Sequence, residues 1–167
     1  AFAVTVAVLS GDPVRARTAA KRGIAVDPEF SFLYFGAYQR LAQCWARAVT
    51  GQDPAAAANE AEALIAAALA DPPRSGLAMW CGMLGEMWLA AGDLERCATA
   101  LDRADAFLDT YGERYAEGLL LVLRARLMRA RGEPPADVRA VAERARALSV
   151  EREAHLFSRR AEAELTS

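Results

Sequence analysis

Apolar residues recur along this chain with the spacing of helices, and glycines interrupt them. The clearest stretch is residues 78–110, where Gly85 is followed one helical turn later by Trp88 and a Gly-Asp pair at 92–93 breaks the pattern. A second apolar series consists of Leu94, Cys97, Leu101, Ala104 and Leu108. Because Gly85 has no side chain, it allows the second helix to pack closely beside Cys97. The stretch predicts two helices that pack against each other as a hairpin.

The same break recurs at even intervals along the chain. Glycines that separate two helices stand 40, 41 and 40 residues apart, at Gly11, Gly51, Gly92 and Gly132. A lone hairpin cannot bury its apolar face, so repeated hairpins are expected to stack. The sequence predicts an all-α fold: a right-handed α-solenoid of about four tetratricopeptide-like hairpins plus a terminal helix, forming one domain over residues 1–167.

Capping residues and prolines give the predicted helix boundaries, because Asp accepts hydrogen bonds from N-terminal amides and Pro fits the first helical turn. Asp12-Pro13 and Asp53-Pro54 are predicted to begin helices, and Asp71-Pro72-Pro73 is predicted to end one. The predicted helices cover residues 2–10, 13–26, 29–50, 54–70, 78–91, 94–110, 113–131, 135–149 and 151–165. The third carries Phe32, Tyr34, Phe35, Tyr38 and Trp45. Ala1 reads as the interior of a helix, so we expect the chain to be part of a larger protein.

Composition and charge narrow the functional classes. Hydrophobic residues make up 54% of the chain, with an excess of alanine, and nearly all positive charge is arginine. This composition favours helix throughout. The net charge of −2 argues against a nucleic-acid surface, which needs a basic excess. The longest apolar stretch is interrupted by Glu86 and is short for a membrane span, so we expect a cytoplasmic protein.

Candidate catalytic or metal-binding residues are few. Cys44, Cys81 and Cys97 lie on apolar helix faces and fit buried, reduced thiols. Cys81 and Cys97 stand on partner helices, but two thiols without a further ligand make a poor zinc site. His155, the single histidine, fits a surface or packing residue. With no phosphate-binding glycine loop and no nucleophile paired with a base, the sequence predicts no enzyme activity, no metal and no cofactor.

Four segments carry a resemblance to a known family. They read GDPVRARTAA, CWARAVTG, LGEMWLAAGDLE and YGERYAEGLLLVLRARLMRARGE. Together they resemble the C-terminal helical-repeat region of bacterial MalT-like and LuxR-type transcriptional regulators and of cyclase-linked signalling ATPases. The likeness is greatest at residues 112–117 and weakest over the last helix. It implies a regulatory or protein-binding repeat module, and the family's nucleotide-binding motifs do not occur in this chain.

A binding groove follows from the predicted stack, in which the first helix of each pair lines the concave wall. Counting from the glycine turns places there Tyr38, Leu41, Trp45, Met79, Glu86, Arg126 and Arg129. The predicted groove is apolar, with one carboxylate and two arginines that can bind an anionic group. The alternative is that the aromatic residues are core and that Glu86 pairs with an arginine. Chaperone-binding tetratricopeptides need Lys and Asn where Leu41 and Trp45 stand, so that subclass is excluded.

The preferred function is a non-enzymatic interaction and sensor module of a bacterial transcriptional regulator or signalling ATPase. Its partner would be a protein or peptide, including another domain of the same chain. Two alternatives remain open: a free-standing peptide-binding adaptor, and a small-molecule receptor domain that uses the aromatic groove. We expect no direct contact of this segment with nucleic acid or membrane.

Overall fold

The computed structural model describes residues 2–29, 33–70 and 75–166, and over these residues the chain is helical with no strand. The structure therefore confirms the all-α class. The helices are α1 (Phe2–Leu9), α2 (Pro13–Val26), α3 (Leu33–Val49), α4 (Pro54–Ala70), α5 (Leu77–Ala90), α6 (Leu94–Tyr111), α7 (Glu117–Ala130), α8 (Pro135–Glu151) and α9 (His155–Thr166). None of them, as far as described, is long and apolar enough to cross a membrane.

Local capping explains where several helices begin. Asp12 precedes Pro13, and its side chain accepts a hydrogen bond from the amide of Arg15. Asp93 caps α6 in the same way through the amide of Arg96, at 3.0 Å. These bonds satisfy amides that have no partner inside the helix, so an Asp before a helical segment is a reliable start signal. The predicted end of the fourth helix at Asp71-Pro72-Pro73 lies outside the described residues, as does Phe32.

The four turn glycines share one backbone conformation. Gly11, Gly51, Gly92 and Gly132 all have φ between 72° and 75°, the left-handed region in which a side chain is strained. At the first turn the Gly11 amide bonds to the carbonyl of Val8 and the next amide reaches Ala7, the pattern of a glycine helix terminus. The even spacing seen in the sequence thus corresponds to four similar helix ends.

The chain packs as two compact units. The first comprises the described residues of Ala1–Ser75 together with Glu86–Gly92. In it α1 packs on α2, α2 on α3 and α3 on α4. Ala16 and Ala20 of α2 are fully buried, and their small side chains let this helix pack closely. Ile65 of α4 is also fully buried.

The second unit comprises Gly76–Gly85 and the described residues of Asp93–Ser167. Here α7 packs on α6, α8 and α9, and α8 packs on α9. Its core includes Val122, Ala145 and Ala161, which form one buried apolar cluster. Helix α5 contributes its first part to this unit and its last part to the first unit. The prediction of one domain over residues 1–167 stays a prediction.

Three predicted helices begin later than expected. Glu29, the predicted start of the third helix, lies in a turn, and the last helix begins at His155 and not at Glu151, which ends α8. The sequence predicts a helix from Glu113, but a short 3₁₀ turn covers Arg114–Ala116 and α7 begins at Glu117. The Glu113 side chain instead accepts a hydrogen bond from the amide of Gly76, at 2.7 Å. The two residues are 37 positions apart in the sequence, so the residues around Glu113 do not predict this contact. The carboxylate lies just before α5, where the positive end of the helix dipole favours a negative charge.

Candidate interaction surface

The apolar residues of the predicted groove lie in the cores of their units. In the first unit Tyr38, Leu41 and Trp45 of α3 are 3%, 0% and 1% exposed. Met79 of α5, in the second unit, is 3% exposed. Burial of each such side chain stabilises the fold by about 1.5–3 kcal/mol, which accounts for their positions. The structure therefore gives these side chains packing partners inside the protein, and their role in binding a partner stays a prediction.

Glu86, the predicted carboxylate of the groove, is buried beside Trp45. Its Oε2 accepts a hydrogen bond from the indole Nε1 of Trp45 at 2.8 Å, and the residue is 9% exposed. A carboxylate taken out of water needs such donors, because an unsatisfied buried charge is costly. The structure thus brings Trp45 and Glu86 together, in a contact that fixes α3 against the end of α5 within the first unit.

The two predicted anion-binding arginines do bind a carboxylate, but an internal one. Arg126 Nε donates to Glu164 Oε1 at 2.5 Å, and Arg129 donates to Glu164 Oε2 and to the Glu164 carbonyl. Burial acts to raise the pKa of Glu164, but the hydrogen bonds and charges of the two arginines outweigh it and hold that pKa below its usual value. The arginines therefore tie α9 to α7, and an external anion would have to displace Glu164.

A different surface in the first unit is open. A groove of about 560 Å³ runs between α1 and α2, bordered by Phe2, Val6, Val14 and Ala19, with Arg15 and Arg22 beside them. Phe2, Val6 and Val14 are 87%, 51% and 65% exposed. We call this surface the α1–α2 groove. Large apolar side chains that share one exposed face are typical of an interaction site.

The spacing from the turn glycines allows Phe2 and Val6 to be compared with residues of the later helices. Phe2 lies nine residues before its turn glycine and Val6 five residues before it. The residues at the same positions before the other three turn glycines are Ala42, Met83 and Leu123 for Phe2, and Ala46, Met87 and Leu127 for Val6. All six are at most 2% exposed. The first repeat therefore exposes the positions that every later repeat buries.

The basic residues beside the α1–α2 groove, Arg15 and Arg22, both lie on its α2 side. Residues 2–26 hold four basic side chains, Arg15, Arg17, Lys21 and Arg22, and one acidic side chain, Asp12. This segment is basic although the whole chain carries a net charge of −2. Arg17 lies 3.5 Å from the amide oxygen of Gln52. Asp12 already accepts the helix-capping hydrogen bond described above.

The three cysteines are buried, and burial limits access to a thiol. Cys44, Cys81 and Cys97 are buried and form no disulfide. Burial, together with the negative charge of Glu60, raises the pKa of the Cys44 thiol to about 12. In the described part of the chain, no group of three or more His, Cys, Asp or Glu side chains could hold a metal ion.

Comparison of the chain with protein-family models, with curated protein sequences and with solved structures gives no match. The α1–α2 groove is therefore identified from the geometry of the structure alone. Sequence reasoning missed the α1–α2 groove because α1 is apolar on all sides, so its periodicity does not show which face is covered. Alignment of the four repeats on their turn glycines is the comparison that reveals the α1–α2 groove.

Proposed function

We propose that this chain is a non-enzymatic protein-interaction module, built as a solenoid of tetratricopeptide-like hairpins, that binds a partner through the α1–α2 groove. The single observation that carries the proposal is the exposure of Phe2 and Val6 at positions that are buried in every later repeat. A stack of repeats buries one continuous core, so this face suits contact with another helical element, whether of the same protein or of a partner.

The resemblance to regulator and signalling-ATPase repeat regions extends this proposal. In such a protein the partner is a protein segment, including another domain of the same chain, and the module couples that contact to regulation. The α1–α2 groove suits a helix, because an amphipathic helix binds by placing its apolar side chains in a groove between two others. A free-standing adaptor would use the same surface.

Selection from a displayed library of helix-forming peptides tests the proposal. Peptides are selected on the 167-residue chain and then measured against Val6→Asp and against Val150→Asp. The second variant is the matched control, because Val150 is 60% exposed on α8 and Val6 is 51% exposed on α1. Both place a carboxylate on an exposed helical valine, so neither is expected to unfold the protein.

We expect helical peptides whose affinity falls by about tenfold or more in Val6→Asp and is unchanged in Val150→Asp, because a charge within an apolar contact is costly. The proposal fails if no helical peptide is enriched. It also fails if the enriched peptides bind Val6→Asp as well as they bind wild type.

A further inference from the structure

The connection between α8 and α9 differs from the other connections in the chain. It comprises residues 152–154 and contains neither glycine nor proline, whereas at least one of the two occurs in every other connection between helices. Glu153 has a φ of 56°, in the left-handed region that glycine occupies at the four turns described above. A residue with a side chain is strained in that region. The chain therefore makes this turn with a residue that does not suit it.

The same residues suit a continuous helix. Glu, Arg and Ala favour helix, and Ala154, which precedes α9, has no side-chain acceptor to cap it. In the turn the amide of Glu153 bonds to the carbonyl of Val150, and the amide of Ala154 bonds to the carbonyl of Ser149. In a straight helix each amide bonds to the carbonyl four residues before it, so these two amides would exchange acceptors. Straightening the turn therefore leaves neither amide without a partner.

We infer that α9 exchanges between two copies of the chain. In the exchanged dimer α8 and α9 form one continuous helix, and α9 of each copy binds the surface of α7 and α8 in the other copy. We call this surface the α9 site. Short connections under strain are typical hinges for such an exchange. The exchange involves only the second unit and is independent of the α1–α2 groove.

The α9 site allows a helix to lie close to both α7 and α8. Phe157 of α9 lies beside Gly118, where a Cβ would be 3.4 Å from Phe157 Cδ2. One turn later, Ala161 belongs to a buried cluster with side chains of α7 and α8. The residues of α7 and α8 at the site are Gly118, Val122, Ala125, Val138, Ala142 and Ala145. None of these residues is larger than valine, so the site is shaped for close helix packing.

The α9 site also requires a carboxylate. Arg126 and Arg129 bind Glu164, which lies seven residues after Phe157 and is 8% exposed. Of the five buried residues of α9, three are polar or charged, whereas the five buried residues of α6 are all apolar. Removing one partner from a buried ion pair is costly. A helix that replaces α9 must therefore bring its own carboxylate to the two arginines.

A second copy of the chain meets these requirements, because its α9 has the same residues. The contacts of Phe157, Ala161 and Glu164 are all kept in the exchange, and only residues 152–154 change conformation. The equilibrium between the closed chain and the exchanged dimer is then set by that turn and by the freedom lost on association. Relief of strain at Glu153 and extension of the helix both favour the dimer.

Two substitutions of Glu153 distinguish the turn from the continuous helix. Glycine suits the left-handed turn and weakens a helix, whereas alanine favours the helix and is strained in the turn. Sedimentation velocity of the 167-residue chain over a range of concentrations gives the dimer dissociation constant of each variant. We expect Glu153→Ala to dimerise as wild type does, and Glu153→Gly to dimerise at least about tenfold more weakly, because each dimer contains two such hinges.

Charge reversal tests whether α9 is the element exchanged. One variant carries Glu164→Arg and the other carries Arg126→Glu with Arg129→Glu, so like charges meet at the α9 site of each closed chain. In a mixture of the two, the exchanged dimer pairs opposite charges at both of its α9 sites. We expect each variant alone to unfold at a lower temperature than wild type, and the 1:1 mixture to form a heterodimer that recovers stability. The control, a mixture of Glu164→Arg with wild type, should show no recovery.

Several outcomes would exclude the exchange. It is excluded if wild type stays a monomer at every concentration, or if Glu153→Gly and Glu153→Ala dimerise equally. It is also excluded if the two charge-reversed variants, both folded by circular dichroism, do not respond to mixing; if either is unfolded, the Glu153 variants decide. A dimer that Val6→Asp abolishes and Glu153→Gly leaves intact forms through the α1–α2 groove, which contradicts exchange of α9.

Discussion

Replacement of Gly85 by leucine tests the close helix contact in the second unit. A Cβ on Gly85 would lie 2.9 Å from Leu101 Cδ2, 3.1 Å from Leu101 Cγ and 3.6 Å from the carbonyl oxygen of Cys97. Leu101 is fully buried, and protein cores are packed densely enough that such a side chain has little room to move. The backbone of α6 must therefore shift or the leucine must adopt a strained rotamer.

The expected net effect of Gly85→Leu is a loss of about 1–3 kcal/mol in the free energy of unfolding, which is the usual cost of overpacking a tight core. A better helix propensity opposes this cost, because leucine in a helix is favoured over glycine by up to about 1 kcal/mol. The overpacking should prevail, since even the Cβ conflicts with Leu101 and leucine adds a branched group beyond it.

Urea denaturation followed by far-ultraviolet circular dichroism measures the effect. Ala90→Leu is the control, because Ala90 is an exposed residue near the end of the same helix. Leu101→Ala supplies a double-mutant cycle: alone it should cost about 2–5 kcal/mol, and with Gly85→Leu the combined loss should be smaller than the sum. An unchanged stability of Gly85→Leu, with additive losses in the cycle, would refute the close contact.

Three further predictions follow from buried polar groups. Cys44, with a pKa near 12, should react slowly with a disulfide reagent at pH 8 in the native protein and rapidly in urea; rapid native labelling would contradict its burial. Glu164→Gln should cost about 1–3 kcal/mol at neutral pH. Because the folded pKa of Glu164 lies below its usual 4.5, wild type should lose this stability as the pH falls below about 4.5, and the variant should lose less; identical pH profiles would contradict the prediction. Trp45→Phe should destabilise by about 1–3 kcal/mol, and by less in a Glu86→Gln background, because it removes a donor from a buried carboxylate; equal losses would argue against the hydrogen bond.

Local signals in the sequence located several of the helix boundaries. The prediction of a helix over residues 13–26 is confirmed, because an Asp-Pro pair begins α2 and Asp27 follows its last residue. The predicted end of α6 at Thr110 lies one residue before the observed end at Tyr111, which Gly112 follows in the left-handed conformation. Each of these boundaries depends on side chains within a few residues of the helix end, so one sequence carries the necessary information.

The contacts of the predicted groove residues could not be derived from such local signals. The turn glycines indicate which helix a residue belongs to, but not which of its faces is covered. Tyr38 and Trp45 could therefore belong either to a groove or to the core, and the structure places them in the core. Glu164 lies 38 residues from Arg126, and no helical period links a residue on α9 to one on α7. Such pairs depend on how helices pack in space, which the local pattern does not encode.

The sequence of α1 predicts more burial than the structure shows. FAVTVAVL is apolar at nearly every position, so it reads as a helix buried on all sides. In the structure Val4, Ala7 and Val8 are buried while Phe2 and Val6 are exposed. Only the neighbours of a helix decide which face remains open, and the sequence of α1 does not contain them.

The most direct test of the central claim is a map of where a helical partner binds. The isotope-labelled chain is titrated with the peptide most enriched in the library selection, and backbone amide shifts are recorded by nuclear magnetic resonance. We predict that the largest changes fall within α1 and α2, over Phe2–Leu9 and Pro13–Val26, and vanish in Val6→Asp. Changes centred on Trp45 and Glu86, or on Arg126 and Arg129, would contradict the α1–α2 groove as the binding surface.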